Sequence, residues 1–230
     1  MVGPAFTLRY MPAREDLNKL EVFRDRGHPQ RKAIEETDDI LATFSALLRI
    51  AQIEAGTRRA GFADLDLSNV VADVADAFAP SIQDEGRVLE TRIEPGIAIV
   101  GDKELLAQML ANILENANRH TSPGTRIRVD LGMRGTEAVL RVADNGPGVP
   151  AEAIGRLFDR FYRPEKSRTT PGSGLGLSLV KAIASLHGAR LGIFDNRPGL
   201  CLEIAFAGRR GVPPSPSPAE QVRKILIAEG

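Results

Sequence analysis

Residues 103–120 read KELLAQMLANILENANRH, without a proline or glycine. Leu106, Leu110, Leu114 and Ala117 recur at three- and four-residue spacing, which predicts an amphipathic helix. The opposite side sets Asn112 and Asn116 one turn apart, with His120 continuing the line and Arg119 flanking it. Two carboxamides and a cation are costly to bury without partners. That stripe therefore faces either solvent or a polar ligand.

Outward from this helix the chain alternates. RVLETRIEPGIAIVGD (87–102) predicts two short strands around a Pro-Gly turn. RIRVDL (126–131) and EAVLRVAD (137–144) predict strands that turn Ile127, Val129 and Leu131, and Ala138, Leu140 and Val142, to one side. LGIF (191–194) and LCLEIAF (200–206) predict a last pair around Asn-Arg-Pro-Gly. Helices are predicted over 151–162 and from Leu175 to His187. A further helix follows DLD (64–66), capped by Asp66 or Ser68 and ended by Pro80. Alternating strands put helices on one face, giving an α+β class: an α/β sandwich with a mixed, mostly antiparallel sheet.

Three further segments carry chemistry. Asp144-Asn145-Gly146-Pro147-Gly148 ends a strand. Its carboxylate can accept a hydrogen bond from an exocyclic amine, and its glycines let a flat ring approach the backbone. Gly172-Ser173-Gly174-Leu175-Gly176-Leu177 opens a helix whose N–H groups suit phosphate oxygens. It does not directly follow a strand, which disfavours a Rossmann dinucleotide fold. Between them LFDRFYRPEKSR (157–168) offers Phe158 and Phe161 to pin a lid, and Arg163, Lys166 and Arg168 as positive charge.

Composition removes other classes. Thirty basic and thirty acidic residues cancel, which argues against a nucleic-acid binder. The single cysteine, Cys201, excludes an intrachain disulfide framework and fits a reducing, cytoplasmic setting. No apolar run reaches the ~18–20 residues of a membrane span, and the opening MVGPAFTLRYMPARED does not read as a signal peptide. No membrane contact is expected from this chain itself.

In this order and spacing the motifs resemble the ATP-binding domain of sensor histidine kinases, within the superfamily shared with gyrase, Hsp90 and MutL. NILENANRHT (112–121) is similar to the asparagine box and DNGPGVP (144–150) to the first glycine box. LFDRFYRP (157–164) is similar to the phenylalanine box and GSGLGLSLVKAIASLHG (172–188) to the second glycine box. The resemblance implies ATP and Mg2+ as cofactors. Asn116 would hold magnesium with Asn112 alongside, and Arg119 and His120 would lie near the phosphates. Asp144 would read the adenine amine, with Gly146 and Gly148 near the base. Arg163 would approach the γ-phosphate, and Gly172, Gly174, Leu175 and Gly176 would cap the phosphates. It also implies homodimerisation and a response regulator receiver domain as partner.

Position 112 separates the branches. The hydrolytic branch carries a Glu four residues before the magnesium Asn, whereas Asn112 is an amide without basicity. Glu115 lies about 100° round the helix from Asn116 and should not replace it. A neutral imidazole already carries a lone pair, so Asn112 favours phosphorylation of histidine.

Upstream, Ile34, Leu41, Leu48 and Ala55 repeat every seven residues, with Phe44, Ala51, Ile40 and Leu47 widening the stripe. FSALLRIAQIEAG (44–56) resembles the second helix of the family's dimerisation hairpin. The domain division is thus 1–32, an irregular or remnant first hairpin helix; 33–60, a dimerisation helix; 61–210, the ATP-binding domain; and 211–230, a Pro/Ser-rich linker with a short tail. The chain has three histidines, and none is followed by an acid and then a nearby Pro, as the family's phospho-acceptor is. His28, in RGHPQR, is the weak acceptor candidate, and His187 reads as structural. The alternative reading is a pseudokinase adaptor that dimerises and docks a response regulator.

Overall fold

The computed structural model describes residues 43–54, 61–164 and 173–210, with backbone alone at 209–210. The chain divides into two compact units, Met1–Phe44 and Ser45–Gly230, and the elements below belong to the second. Readings that fall on 1–42, 55–60, 165–172 and 211–230, including His28 and Gly172, lie outside the described residues.

The sheet order is β2 (Val88–Ile93), β4 (Arg126–Arg134), β5 (Glu137–Asp144), β7 (Leu200–Ala207), β6 (Arg190–Asp195). Only β2 and β4 are parallel among these pairs, with Val88 opposite Arg126 and Ile93 opposite Leu131. The sheet is therefore mixed and mostly antiparallel, as the alternation predicts. Ile127, Val129, Leu131, Ala138, Leu140 and Val142 are all buried, so the inward register follows the sequence. The outward side is charged. Glu203 of β7 lies between Arg134 and Arg141 (2.8 and 2.6 Å), and Glu90 of β2 meets Arg126 and Arg128. Glu137 pairs with Arg190 on β6 at 2.6 Å. The arginines, Arg134 foremost, hold the Glu203 carboxyl below its ordinary value.

The Pro-Gly turn does not make a hairpin. β3 (Ile97–Gly101) leaves β2 and joins a separate small sheet, antiparallel to β1 (Ala63–Asp66) and to β8 (Arg209–Arg210). Ser68 holds this departure: its hydroxyl donates to Glu94 O (2.6 Å) and accepts from Ile97 N (3.1 Å).

α1 (Leu67–Asp84) is capped by Asp66, whose carboxylate accepts from Asn69 N at 3.3 Å. It does not stop at Pro80. One more turn brings Ile82 into the core with no exposure, and that burial offsets the hydrogen bond Pro80 cannot donate. α2 spans Lys103–His120, the predicted range, and Asp102 accepts from Glu104 N and Leu105 N. α3 is a single turn, Ala151–Ile154, rather than a helix to 162. Below it Leu157 is buried and Phe158 packs against the core, while Phe161 is 56% exposed with φ 62°. The predicted second pin is thus absent. α4 (Gly176–Leu186) packs against α2.

The helical segment 43–54 turns Ile50 and Ile53 into the core, with Ala46 and Leu47 packed beside them. These isoleucines are not on the seven-residue stripe read from the sequence. Leu48, which is on it, is half exposed. Arg160 pairs with Glu54 at 2.5 Å, and Arg49 donates to Gln108 of α2 at 2.7 Å. Among the described residues no helix is long and apolar enough to cross a membrane.

Candidate nucleotide site

Two clusters form around the C-terminal half of α2. In the first, the carboxamide of Asn112 donates back to Gln108 O (2.8 Å) and turns its oxygen to the start of α4. A Cβ built on Gly176 would lie 3.3 Å from that oxygen. The N-cap of α4 is Leu175, whose apolar side chain cannot accept from the first-turn N–H groups. Leu175 itself is buried in the core and anchors the loop by its side chain. Phe161 N donates to Gly174 O (3.1 Å), and Gly174, at φ 70°, leaves its Cβ side against Phe161 and the Arg163 stem. Arg119 and Arg163 both bear on His120. Burial first, then these two cations, hold its imidazole below the ordinary value and hence neutral.

Asn116 stands on the same stripe, half-buried, and among the described residues its carboxamide has no hydrogen-bond partner. Glu115 is turned away and pairs with Arg119 at 2.5 Å, so it cannot serve as a base beside Asn116.

The second cluster lies past the end of α2. Asp144 closes β5, and Oδ1 accepts from Gly146 N at 2.8 Å. Burial pushes its carboxyl above the ordinary range, against the N–H groups of Gly146 and Leu200 that pull it down. Gly146 is buried against Thr121, and Gly148, at φ 69°, backs onto Gly199 O. Asn196 donates to Asp144 O (2.7 Å), which ties the β6–β7 turn to this loop. Thr121 closes the asparagine-box stretch and Asn196 and Gly199 bound the Asn-Arg-Pro-Gly turn, but nothing in the sequence tied these three to Asp144.

His187 stands apart from both clusters. It stacks on Phe62 (4.6 Å between centroids), hydrogen bonds Ile183 O through Nδ1 (2.8 Å), and accepts from Asp102 N through Nε2 (3.0 Å). Burial holds its pKa below the ordinary value. A depressed imidazole favours the folded state above about pH 6.5 and loses that contribution as pH falls. His187→Phe keeps the stack but leaves Asp102 N unpaired, at about 1 kcal/mol. Thermal melts should show that its loss of stability between about pH 7.5 and 5.5 is smaller than the unsubstituted protein's.

The model for histidine kinase-, DNA gyrase B- and HSP90-like ATPases matches residues 101–209, from the end of β3 to β8. The probable sensor histidine kinase TcrY of Mycobacterium tuberculosis is 34% identical over 176 residues, 75% of this chain and 36% of TcrY. The chain thus spans about a third of that relative's length. The solved mycobacterial sensor histidine kinase MprB is 30% identical with a TM-score of 0.60, over 65% of this chain and all of that one. Full-length ShkA in complex with AMPPNP superposes with a TM-score of 0.68 over 83% of this chain and 40% of its own; at 23% identity it speaks to the fold. The chain belongs to the sensor histidine kinases and carries their ATP-binding catalytic domain.

Proposed function

We propose that this chain binds ATP with magnesium between α2, α4 and the 144–148 loop and transfers the γ-phosphoryl group to a histidine. The observation that carries it is the Asn112 carboxamide set against an α4 N-terminus that Leu175 does not cap, with Asn116 and His120 on the same stripe of α2. In this reading Asp144 accepts the adenine amine, and Gly146 and Gly148 let the ring approach. The first-turn N–H groups of α4 receive phosphate oxygens, with Gly172, Gly174 and Gly176 shaping that loop. Arg119 and Arg163 offset phosphate charge, and neutral His120 adds no further cation.

The donor set fits magnesium. Among the described residues no three His, Cys, Asp or Glu side chains converge as a metal cage. Magnesium commonly takes few protein oxygens alongside phosphates and water, and the Asn116 carbonyl, which has no hydrogen-bond partner among the described residues, suits that role. When bound, the ion would neutralise charge on the triphosphate. The acceptor imidazole forms the P–N bond as the bond to the ADP oxygen breaks and ADP leaves with that electron pair. With Asn112 in place and Glu115 tied to Arg119, neither position on α2 offers a carboxylate to activate water. The exposed Leu48 side of segment 43–54 fits pairing with a second copy, and a receiver domain would take the phosphoryl group onward.

The test is incubation with γ-labelled ATP and magnesium, alone and with an added acceptor hairpin from an intact kinase. Label on the added hairpin, at least about 100-fold lower in Asn116→Ala, is the expected result. Acid-labile label on this chain itself would make His28 the next residue to replace. Bound nucleotide with no label anywhere would leave the adaptor reading.

A further inference from the structure

Arg87 follows Gly86 (φ 75°) at the turn from α1 into β2, and its side chain is 92% buried (8% exposed). Its own N–H donates to Ile82 O at 3.0 Å, which fixes the backbone. One edge of the guanidinium grips Thr121: Nε reaches O (3.2 Å) and Oγ1 (3.0 Å), and Nη2 also donates to O. The other edge, through Nη1, meets Glu85 O (3.2 Å) and Oε2 (2.8 Å). Glu85 Oε1 in turn accepts from Asn118 Nδ2 of α2 at 3.1 Å. Backbone bonds also join these loops independently of this cation. Gly124 N donates to Gly86 O (2.7 Å) and Val88 N to Thr125 O (3.0 Å) without it.

What Arg87 does control is Thr121, the C-cap of α2. Thr121 is extended (φ −116°, ψ 160°), so no glycine-type closure fixes the end of this helix. Its hydroxyl donates to Ala117 O at 2.7 Å. Its methyl lies under Gly146, where a Cβ would come within 2.8 Å of it, and Gly146 N in turn holds the Asp144 carboxylate. The contacts run Arg87, Thr121, Gly146, Asp144 without a gap.

We propose that Arg87 is a positioning residue for nucleotide recognition. By holding Thr121 it sets where Gly146 and the Asp144 carboxylate stand relative to the end of α2, and so how well the adenine amine is read. This rests on the ATP-site reading above. Lysine cannot replace it, because a single ammonium cannot serve Thr121 and Glu85 from two edges of a plane.

The test compares ATP with inosine triphosphate, which carries a carbonyl where adenine carries its amine. Affinities of the full chain with magnesium are measured by calorimetry well below the melting temperature, alongside thermal melts, for Arg87→Lys, Arg87→Met and Thr121→Ser. Arg87→Lys and Arg87→Met should weaken ATP about tenfold and inosine triphosphate less than about threefold, so the preference narrows. Thr121→Ser keeps both acceptors for Arg87 and removes the methyl under Gly146, so it should narrow the preference in the same sense. Variants that melt lower but keep the original preference, or lose both ligands in equal proportion, overturn the proposal. Should the Arg87 variants not fold, an unchanged preference in Thr121→Ser overturns it. An unsubstituted chain that binds neither ligand removes the site reading and this inference together, whereas one that prefers ATP leaves a failure with Arg87 alone.

Discussion

Gly199→Ala should fail to give a stably folded domain, with a loss of more than about 3–4 kcal/mol in thermal or denaturant unfolding. Gly199 is buried at φ 108°, and a Cβ there would lie 1.9 Å from Asp144 O and 2.6 Å from Asp144 C. Both contacts are backbone, so no side chain can swing aside. The neighbour that must move closes β5 and carries the carboxylate of the proposed base site. Gly135→Ala is the control. It also has positive φ (64°), but a Cβ there meets nothing within 4 Å. It should cost only the left-handed backbone penalty of about 1–2 kcal/mol. Equal losses in the two variants would show that the Gly199–Asp144 contact is not what matters.

Asp144→Asn should weaken ATP about 10- to 100-fold, the range for a lost hydrogen bond to a charged group. The pH dependence gives a second, independent signature. Burial raises the Asp144 carboxyl above its ordinary value. A raised carboxyl favours the folded state below the unfolded value near 4 and loses that contribution as pH rises through the folded value. Reading the adenine amine requires the ionised form. Acidification through this window should therefore weaken ATP binding while this group's own contribution to stability grows. In Asp144→Asn both trends should be lost. ATP affinity that falls equally with pH in the variant would place the titrating group elsewhere.

The parts legible in the sequence are those fixed by local chemistry. α2 could be read to the residue because an unbroken apolar stripe and a polar face both lie within its own length, while the Asp102 cap that precedes it went unread. The strands predicted over 126–131 and 137–144 were legible from their alternation, which burial on one face enforces, though the first runs on to Arg134. The parting of β2 and β3 was not. Which strand pairs with which depends on residues tens of positions away, and the Ser68 clip that separates them is itself non-local. Pro80 misleads for the reverse reason: the usual local rule holds, but burying Ile82 outweighs it. Within the proposed site, the motif residues were visible by spacing, whereas Arg87 and Gly199 look like any arginine after a turn and any glycine after a proline. Their meaning lies in Thr121 and Asp144, 34 and 55 residues distant in the chain.

The charged outer side of the sheet bears on how the protein keeps in solution. Its formal charge is zero near neutrality, so molecules approach one another without long-range repulsion. Among the described residues β2 and β6 are the edge strands of the five-stranded sheet, and Phe194 on β6 is half exposed. Unpaired strand edges invite a neighbouring chain to add on, and charged side chains along them discourage it. Here that protection falls to Glu90 and Arg92 on one edge and Arg190 and Asp195 on the other. Such protection acts at short range and is screened within about 10 Å at 0.1 M salt. Concentrated stocks are therefore better kept dilute in salt and somewhat away from neutral pH, where a net charge restores colloidal repulsion.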